Sequence, residues 1–204
     1  MNQDYSESLN LIHGLLRYNF PIKVWKVIRE KFTVRQVSLA AMLIALGVIL
    51  APMLWFPFLT TKAYPGQHAI NVLAGVLLGP LWAAFIAFCI GVIRMGLGIG
   101  TIYSMPGGIP GGVVVGIFYS LFKKFKIKYP EIAAFTEPIG TVIIGGTLAL
   151  FLVAPLIGDV RLIGIPLLIF WTGWAISSIP GCIMGFVLVE ALKLAGITRE
   201  TFRE

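Results

Sequence analysis

Long uncharged runs separated by short basic patches dominate the chain. Residues 36–58 (QVSLAAMLIALGVILAPMLWFPF) are the first such run, long enough to cross a hydrocarbon core of ~30 Å. Pro52 and Pro57 predict that its regular helix ends near the outer interface. It lies too far from the N-terminus, and lacks a well-placed small-residue cleavage site, to be a signal peptide. A short polar stretch, TTKAYPGQH, occupies 60–68, and residues 69–93 are again uncharged. That second run reads either as one helix or as two, broken at Gly79-Pro80: a short second span (about 68–79) and a third (about 80–97). Parity chooses between them. Lys123, Lys124, Lys126 and Lys128 form a basic loop, both terminal regions are basic, and basic loops stay cytoplasmic. Two spans between the first span's outer end and residue 109 return the chain to the outside, so a fourth (about 109–122) delivers the lysines inside. A fifth span follows at about 133–156, with Glu137 near its inner end, and a sixth at about 164–190. The pattern predicts an all-α integral membrane protein with six transmembrane helices and both termini cytoplasmic.

Three segments follow: an N-terminal extension (1–35), a membrane domain (36–195) and a cytoplasmic tail (196–204). In the extension Ile22, Val24, Trp25, Ile28 and Phe32 recur at helical spacing against Lys23, Lys26 and Arg29. That pattern suits a helix on the cytoplasmic membrane surface, the alternative being an extension without function. No internal repeat is evident.

Composition agrees with this reading. The 204 residues are 58% hydrophobic and 12% charged, where soluble domains carry about 25% charged residues. A soluble enzyme and a disordered chain are both excluded on that ground. The net charge of +7 comes from Lys and Arg clustered at 17–35, 123–128 and 193–203, which is membrane-flanking charge rather than a nucleic-acid stripe. Cys89 and Cys182 both lie inside apolar runs without metal-ligand spacing.

The candidate chemistry is sparse. No acidic residue occurs between Glu30 and Glu131, and phosphate-loop, HExxH and GxSxG motifs are missing. The histidines are His13 and His68, and only Glu137 and Glu190 are acids within spans, both placed near cytoplasmic ends. The chain is expected neither to hydrolyse ATP nor to run its own proton cycle, and no cofactor or metal is implied.

A polar cluster stands out at the outer ends of apolar helices. Gln67, His68 and Asn71 share one helical face by their spacing of three and four. Arg94, near the outer end of the third span, must face the protein interior or snorkel outward. It reads as a ligand-contacting donor or as a cap on backbone carbonyls; His68 reads as a ligand contact or as an interfacial helix start. The stretch GLGIGTIYSMPGGIPGG (96–112), with seven glycines and two prolines, is not expected to be regular helix throughout. It marks either a binding region or a tight loop packed on neighbouring helices. Trp171 and Trp174, with Ser177 and Ser178 a turn below, and Tyr64 and Tyr103 in outer loops, supply surfaces on which a flat ligand stacks. Interfacial anchoring explains the same aromatics equally well. Ala41 and Ala45, with Gly47 close by, permit close helix approach, within the bundle or to a partner.

The runs TKAYPGQHAINVLAGVLLGP (61–80) and IGVIRMGLGIGTIYSMPGGIPGG (90–112) resemble the substrate-binding S components of energy-coupling factor (ECF) transporters, closest to the ThiW type. The likeness extends over about 36–195 and is sharpest from Lys62 to Tyr119. It implies a six-helix membrane protein that captures a vitamin precursor, the thiazole of thiamin, from outside. Such a subunit works with a transmembrane coupling protein and two cytoplasmic ATPases. By the family's pattern Ala41 and Ala45 contact the coupling protein and the loop 53–67 is a lid, and the positions read above as a pocket, His68, Asn71, Arg94 and the 103–108 loop, fall at the correct end of the molecule. Gln67, Tyr103, Trp171 and Trp174 complete the candidate substrate-binding residues. Lys62, His68, Arg94 and Arg161 make the outer end basic against Asp159, which also suits an anionic ligand. S components for thiamin or hydroxymethylpyrimidine, an autonomous secondary carrier, and a small intramembrane enzyme or sensor are the competing readings.

Overall fold

Proline and glycine punctuation sets where the helices begin and end. The computed structural model describes residues 33–58 and 61–203. Its helical segments are Val34–Met53 (α1), Pro65–Leu77 (α2), Pro80–Gly96 (α3), Ser104–Lys124 (α4), Pro130–Ile157 (α5) and Leu167–Leu194 (α6). Pro65, Pro80 and Pro130 each sit in a first turn, where the missing N–H would have had no intrahelical acceptor anyway. Between α2 and α3, Gly79 takes φ +99°, a conformation that side-chain-bearing residues rarely adopt. The run 69–93 is therefore two helices. The amphipathic pattern at 22–32 lies outside the described residues.

Among the described residues, α1, α4, α5 and α6 are long and apolar enough to cross a membrane, whereas α3 has 17 residues and α2 only 13. Between α1 and α2 the chain makes a small antiparallel ribbon, Phe56–Phe58 (β1) with Thr61–Ala63 (β2), in which Phe56 faces Ala63.

Every residue of α2 is buried, which puts this short helix at the centre of the bundle. The helices around it have an inner and an outer face. On α3, Ala83, Ile86, Ala87, Ile90, Gly91 and Arg94 are buried while Leu81, Phe85, Phe88 and Val92 are exposed. Arg94 thus continues the inward stripe. On α1, Leu39, Ala40, Leu43 and Gly47 are buried, and Ala41 and Ala45 are on the exposed side with Met42, Leu46 and Ile49. Gly47, and not the alanine pair, makes the close internal contact, since a Cβ there would fall 2.4 Å from Ile90 Cδ1.

The glycine-rich stretch differs from expectation. Residues 104–112 are helical and open α4, so the irregular backbone is confined to 97–103. The glycines are spacers: a Cβ on Gly112 would lie 2.9 Å from Ala83 Cβ, and one on Gly116 would lie 2.5 Å from Pro80 N. Gly140 and Gly145 of α5 in turn accept the carbonyls of Pro110 and Pro106, with Cβ distances of 2.3 and 2.1 Å. Tight packing across such contacts compensates for the weak helix propensity of glycine.

Charged side chains collect at one end. The Lys193 ammonium is 2.9 Å from Glu131 and 3.7 Å from Glu190, Lys123 is 2.9 Å from Glu200, and Arg35 donates to the Thr201 carbonyl at 3.1 Å. Arg199 is buried there. It donates to the Val76 and Gly75 carbonyls at 2.6 and 2.5 Å and to Ser120 Oγ at 2.9 Å, and stacks 4.4 Å from the Tyr119 ring centre. Burial pushes its guanidinium down to about 10. Arg199 thereby satisfies the last carbonyls of α2, which no capping residue of that helix supplies.

Candidate functional site: a buried polar cluster around Glu137

Toward the other end of α2 lies a cluster of polar side chains that the apolar bundle encloses completely. Glu137 is its centre, fully buried at 0% exposure. Its Oε1 accepts from Asn71 Nδ2 at 2.9 Å and Thr141 Oγ1 at 2.5 Å, and lies 2.9 Å from His68 Nδ1; its Oε2 accepts from Ser178 Oγ. Three helices meet at this carboxylate: α2 through His68 and Asn71, α5 through Thr141, α6 through Ser178. From the sequence this span starts at about 133, with Glu137 near its inner end. The helix begins earlier, at Pro130, and α2 is so short that its second turn already reaches the depth of Glu137. The local backbone of α5 helps. Between the tight turns of 130–136 and the wide turns of 139–145, Glu137 and Thr141 point to the same interior spot.

Gly111 makes the arrangement possible. A Cβ there would be 2.2 Å from Thr141 Oγ1, 2.6 Å from Glu137 Oε1 and 3.0 Å from Asn71 Nδ2. Neither Gly111 nor Thr141 is singled out by sequence reasoning, because nothing in their spacing marks them. Glu137 did carry a signal: an acidic residue in an apolar span is a functional candidate by default.

The direction of each hydrogen bond follows from the two ends of the network. Arg94 donates only, and Nη1 reaches Gln67 Oε1 at 3.4 Å. The Gln67 amide is thereby turned so that Nε2 donates to Asn71 Oδ1 at 3.2 Å, and Asn71 donates onward to Glu137. On the other branch Ser177 Oγ accepts from the Tyr64 N–H at 2.8 Å and lies 3.1 Å from His68 Nε2. The Glu137 carboxylate only accepts, which makes His68 Nδ1 the donor between them. Ser177, His68 and Glu137 are spaced as a nucleophile, base and orienting acid would be. Ser177 itself lies inside α6 and is met by the Tyr64 N–H.

Arg94 is 2% exposed, and its guanidinium stacks 4.3 Å from the centre of the Tyr64 ring. Among the described residues it has no carboxylate partner, and its Nε has no hydrogen-bond acceptor. Gly100 allows the 97–103 loop to fold over it, since a Cβ there would be 2.8 Å from Arg94 Cβ.

Gln67, His68, Asn71 and Arg94 are thus brought together. Tyr103 is held elsewhere, its hydroxyl donating to Asp159 Oδ2 at 2.8 Å while Arg161 clasps the same carboxylate at 2.8 Å through Nε and through Nη2. Burial, then the bond to Asp159, pushes the Tyr103 phenol up to about 12. Trp171 donates to Thr147 Oγ1 at 3.3 Å and packs on Gly146, while the Trp174 ring lies against Gly107, 3.1 Å from where its Cβ would be. The Gly107 carbonyl oxygen lies 3.0 Å from Thr141 Oγ1, so Trp174 borders the cluster one layer out.

Residues 37–195 match the model of a family described as thiamine-precursor transporter protein (ThiW). No curated protein matches the chain. The matched stretch runs from the first turn of α1 to the end of α6 and contains every residue of the cluster. This chain is therefore a multi-pass membrane protein belonging to the ThiW family of thiamine-precursor transporters.

Proposed function

We propose that this protein is the substrate-capture subunit of an ECF-type importer. On this reading it binds hydroxyethylthiazole, the thiazole precursor of thiamin, from outside, and delivers it inward with a transmembrane coupling protein and two ATPase subunits. The observation that carries the proposal is Arg94: a buried cation without a carboxylate partner among the described residues, inside a bundle of a thiamine-precursor transporter family. Membrane proteins keep such a charge only where it has work to do. The lack of a nucleotide-binding motif supports a division of labour with separate ATPases. The basic end, with Arg35, Lys123, Lys193 and Arg199, is the cytoplasmic side by the distribution of positive charge, which leaves the Glu137 cluster toward the outside. The β1–β2 ribbon, whose exit at Tyr64 bonds to Ser177 and covers Arg94, serves as the lid.

Titration of the detergent-solubilised protein tests this through its five tryptophans. Saturable fluorescence change with hydroxyethylthiazole, and none with thiamin or hydroxymethylpyrimidine, is expected. A response to one of the others instead would replace the cargo while keeping the capture role.

One observation favours a second reading. Glu137 and His68 form a buried acid–base pair of the kind that ion-coupled carriers use. Uptake by liposomes holding this chain alone, abolished when an ion gradient is dissipated, would establish that carrier.

A further inference from the structure

The donors and acceptors of the cluster do not balance, and the imbalance describes the cargo. Every acceptor that faces it is engaged. Glu137 Oε1 is met by His68, Asn71 and Thr141, and Oε2 by Ser178. Asn71 Oδ1 takes the Gln67 amide, Gln67 Oε1 takes Arg94, and Ser177 Oγ takes the Tyr64 N–H. In the neighbouring loop Asp159 is filled by Tyr103 and Arg161. Donors, by contrast, are in surplus at Arg94: Nε has no acceptor and the bond from Nη1 is long, at 3.4 Å. A buried group of this kind favours a ligand that completes it and rejects one that cannot.

Charge gives the second constraint. The outer end looks basic in the sequence, but Arg161 is neutralised by Asp159, and Glu137 places a carboxylate three hydrogen bonds from Arg94. Among the described side chains the site has no spare carboxylate for a cation or an exocyclic amine.

We propose that Arg94 is the docking point for an oxygen acceptor on a ring compound, so that the site selects acceptor-bearing heterocycles over cationic and amine-bearing ones. This rests on the capture reading above and narrows it. For hydroxyethylthiazole the acceptor is the hydroxyl oxygen.

Two probes test it on the purified full-length protein: hydroxyethylthiazole and the ethyl analogue that lacks the hydroxyl. Losing a hydrogen bond to a charged donor is expected to weaken the ethyl analogue about tenfold or more. In Arg94→Met the alcohol and the ethyl analogue should bind alike, while Arg94→Lys should retain part of the preference. An ethyl analogue equal to the alcohol in the unmodified protein would overturn the docking role, as would full discrimination surviving in Arg94→Met. The comparison in unmodified protein decides the matter even if Arg94→Met does not fold. Thiazole binding that ignores the hydroxyl sinks this inference alone, whereas absence of binding by every thiazole sinks both it and the thiazole capture reading.

Discussion

Removing the Glu137 carboxylate strands four donors at once, from His68, Asn71, Thr141 and Ser178. Glu137→Ala is expected to cost about 3 kcal/mol or more, because each donor left buried without a partner carries its own desolvation penalty. Thr141→Val removes a single donor and should cost about 1 kcal/mol. Thermal unfolding in detergent, compared across the two variants, checks the ratio; equal effects would mean that Glu137 does not organise the cluster. Gly111→Ala probes the same point from the opposite side. Its new methyl has to displace Thr141, Glu137 or Asn71, so ligand affinity should fall at least about tenfold, readable in the tryptophan titration. At this scale the sequence was partly legible. Helical spacing alone joined Gln67, His68 and Asn71, and the cost of a charge in lipid left Arg94 either facing inward or snorkelling, a choice that packing makes. Glu137 was visible as an isolated acid, but its partners depend on where α5 starts and how short α2 is, and local spacing records neither.

The six helical segments answer to different kinds of signal. Proline at the start of α2, α3 and α5, and Gly79 before α3, mark boundaries because their backbone constraints are local. The glycine-rich opening of α4 misleads for the same reason: local propensity argues against helix, and the contacts that overturn it come from α3 and α5. On α1 the exposed Ala41 and Ala45 face away from the bundle, and under the proposed importer mechanism this face meets the coupling protein. Ala41→Trp should then abolish co-purification with the coupling protein while leaving ligand titration unchanged; intact assembly would remove that role. The 97–103 loop is fastened to the loop before α6 by the Tyr103–Asp159 bond. Because the Tyr103 phenol is raised to about 12, the folded state favours its protonated form. The bond's contribution is therefore fully present below the ordinary tyrosine value near 10 and is lost as pH climbs from about 10 to about 12. Absorbance titration of the protein against Tyr103→Phe should show one tyrosine ionising late; a difference centred near 10 would contradict it.

Across the whole molecule, α2 links the two ends, with the Glu137 cluster on its first turns and Arg199 on its last carbonyls. Arg199→Ala would free the carbonyls of Gly75 and Val76, lose the Ser120 bond and unstack Tyr119, costing about 2–4 kcal/mol. A lowered melting temperature is expected; an unchanged one would mean that water or lipid replaces the guanidinium without penalty. Some of the molecule was settled by the sequence alone. Length, apolarity and the placing of lysines dictate a helical membrane bundle, and glycine and proline dictate most of its breaks, because transfer free energy and backbone sterics act residue by residue. What only the tertiary structure decided is which polar groups meet. Glu137 and His68 are 69 positions apart and Ser177 and His68 are 109 apart, and their hydrogen bonds exist because three helices pack around one short buried helix. Whether Arg94 is paired or open is likewise a property of that packing, since a charge's partners are set by distance in space and not by separation along the chain.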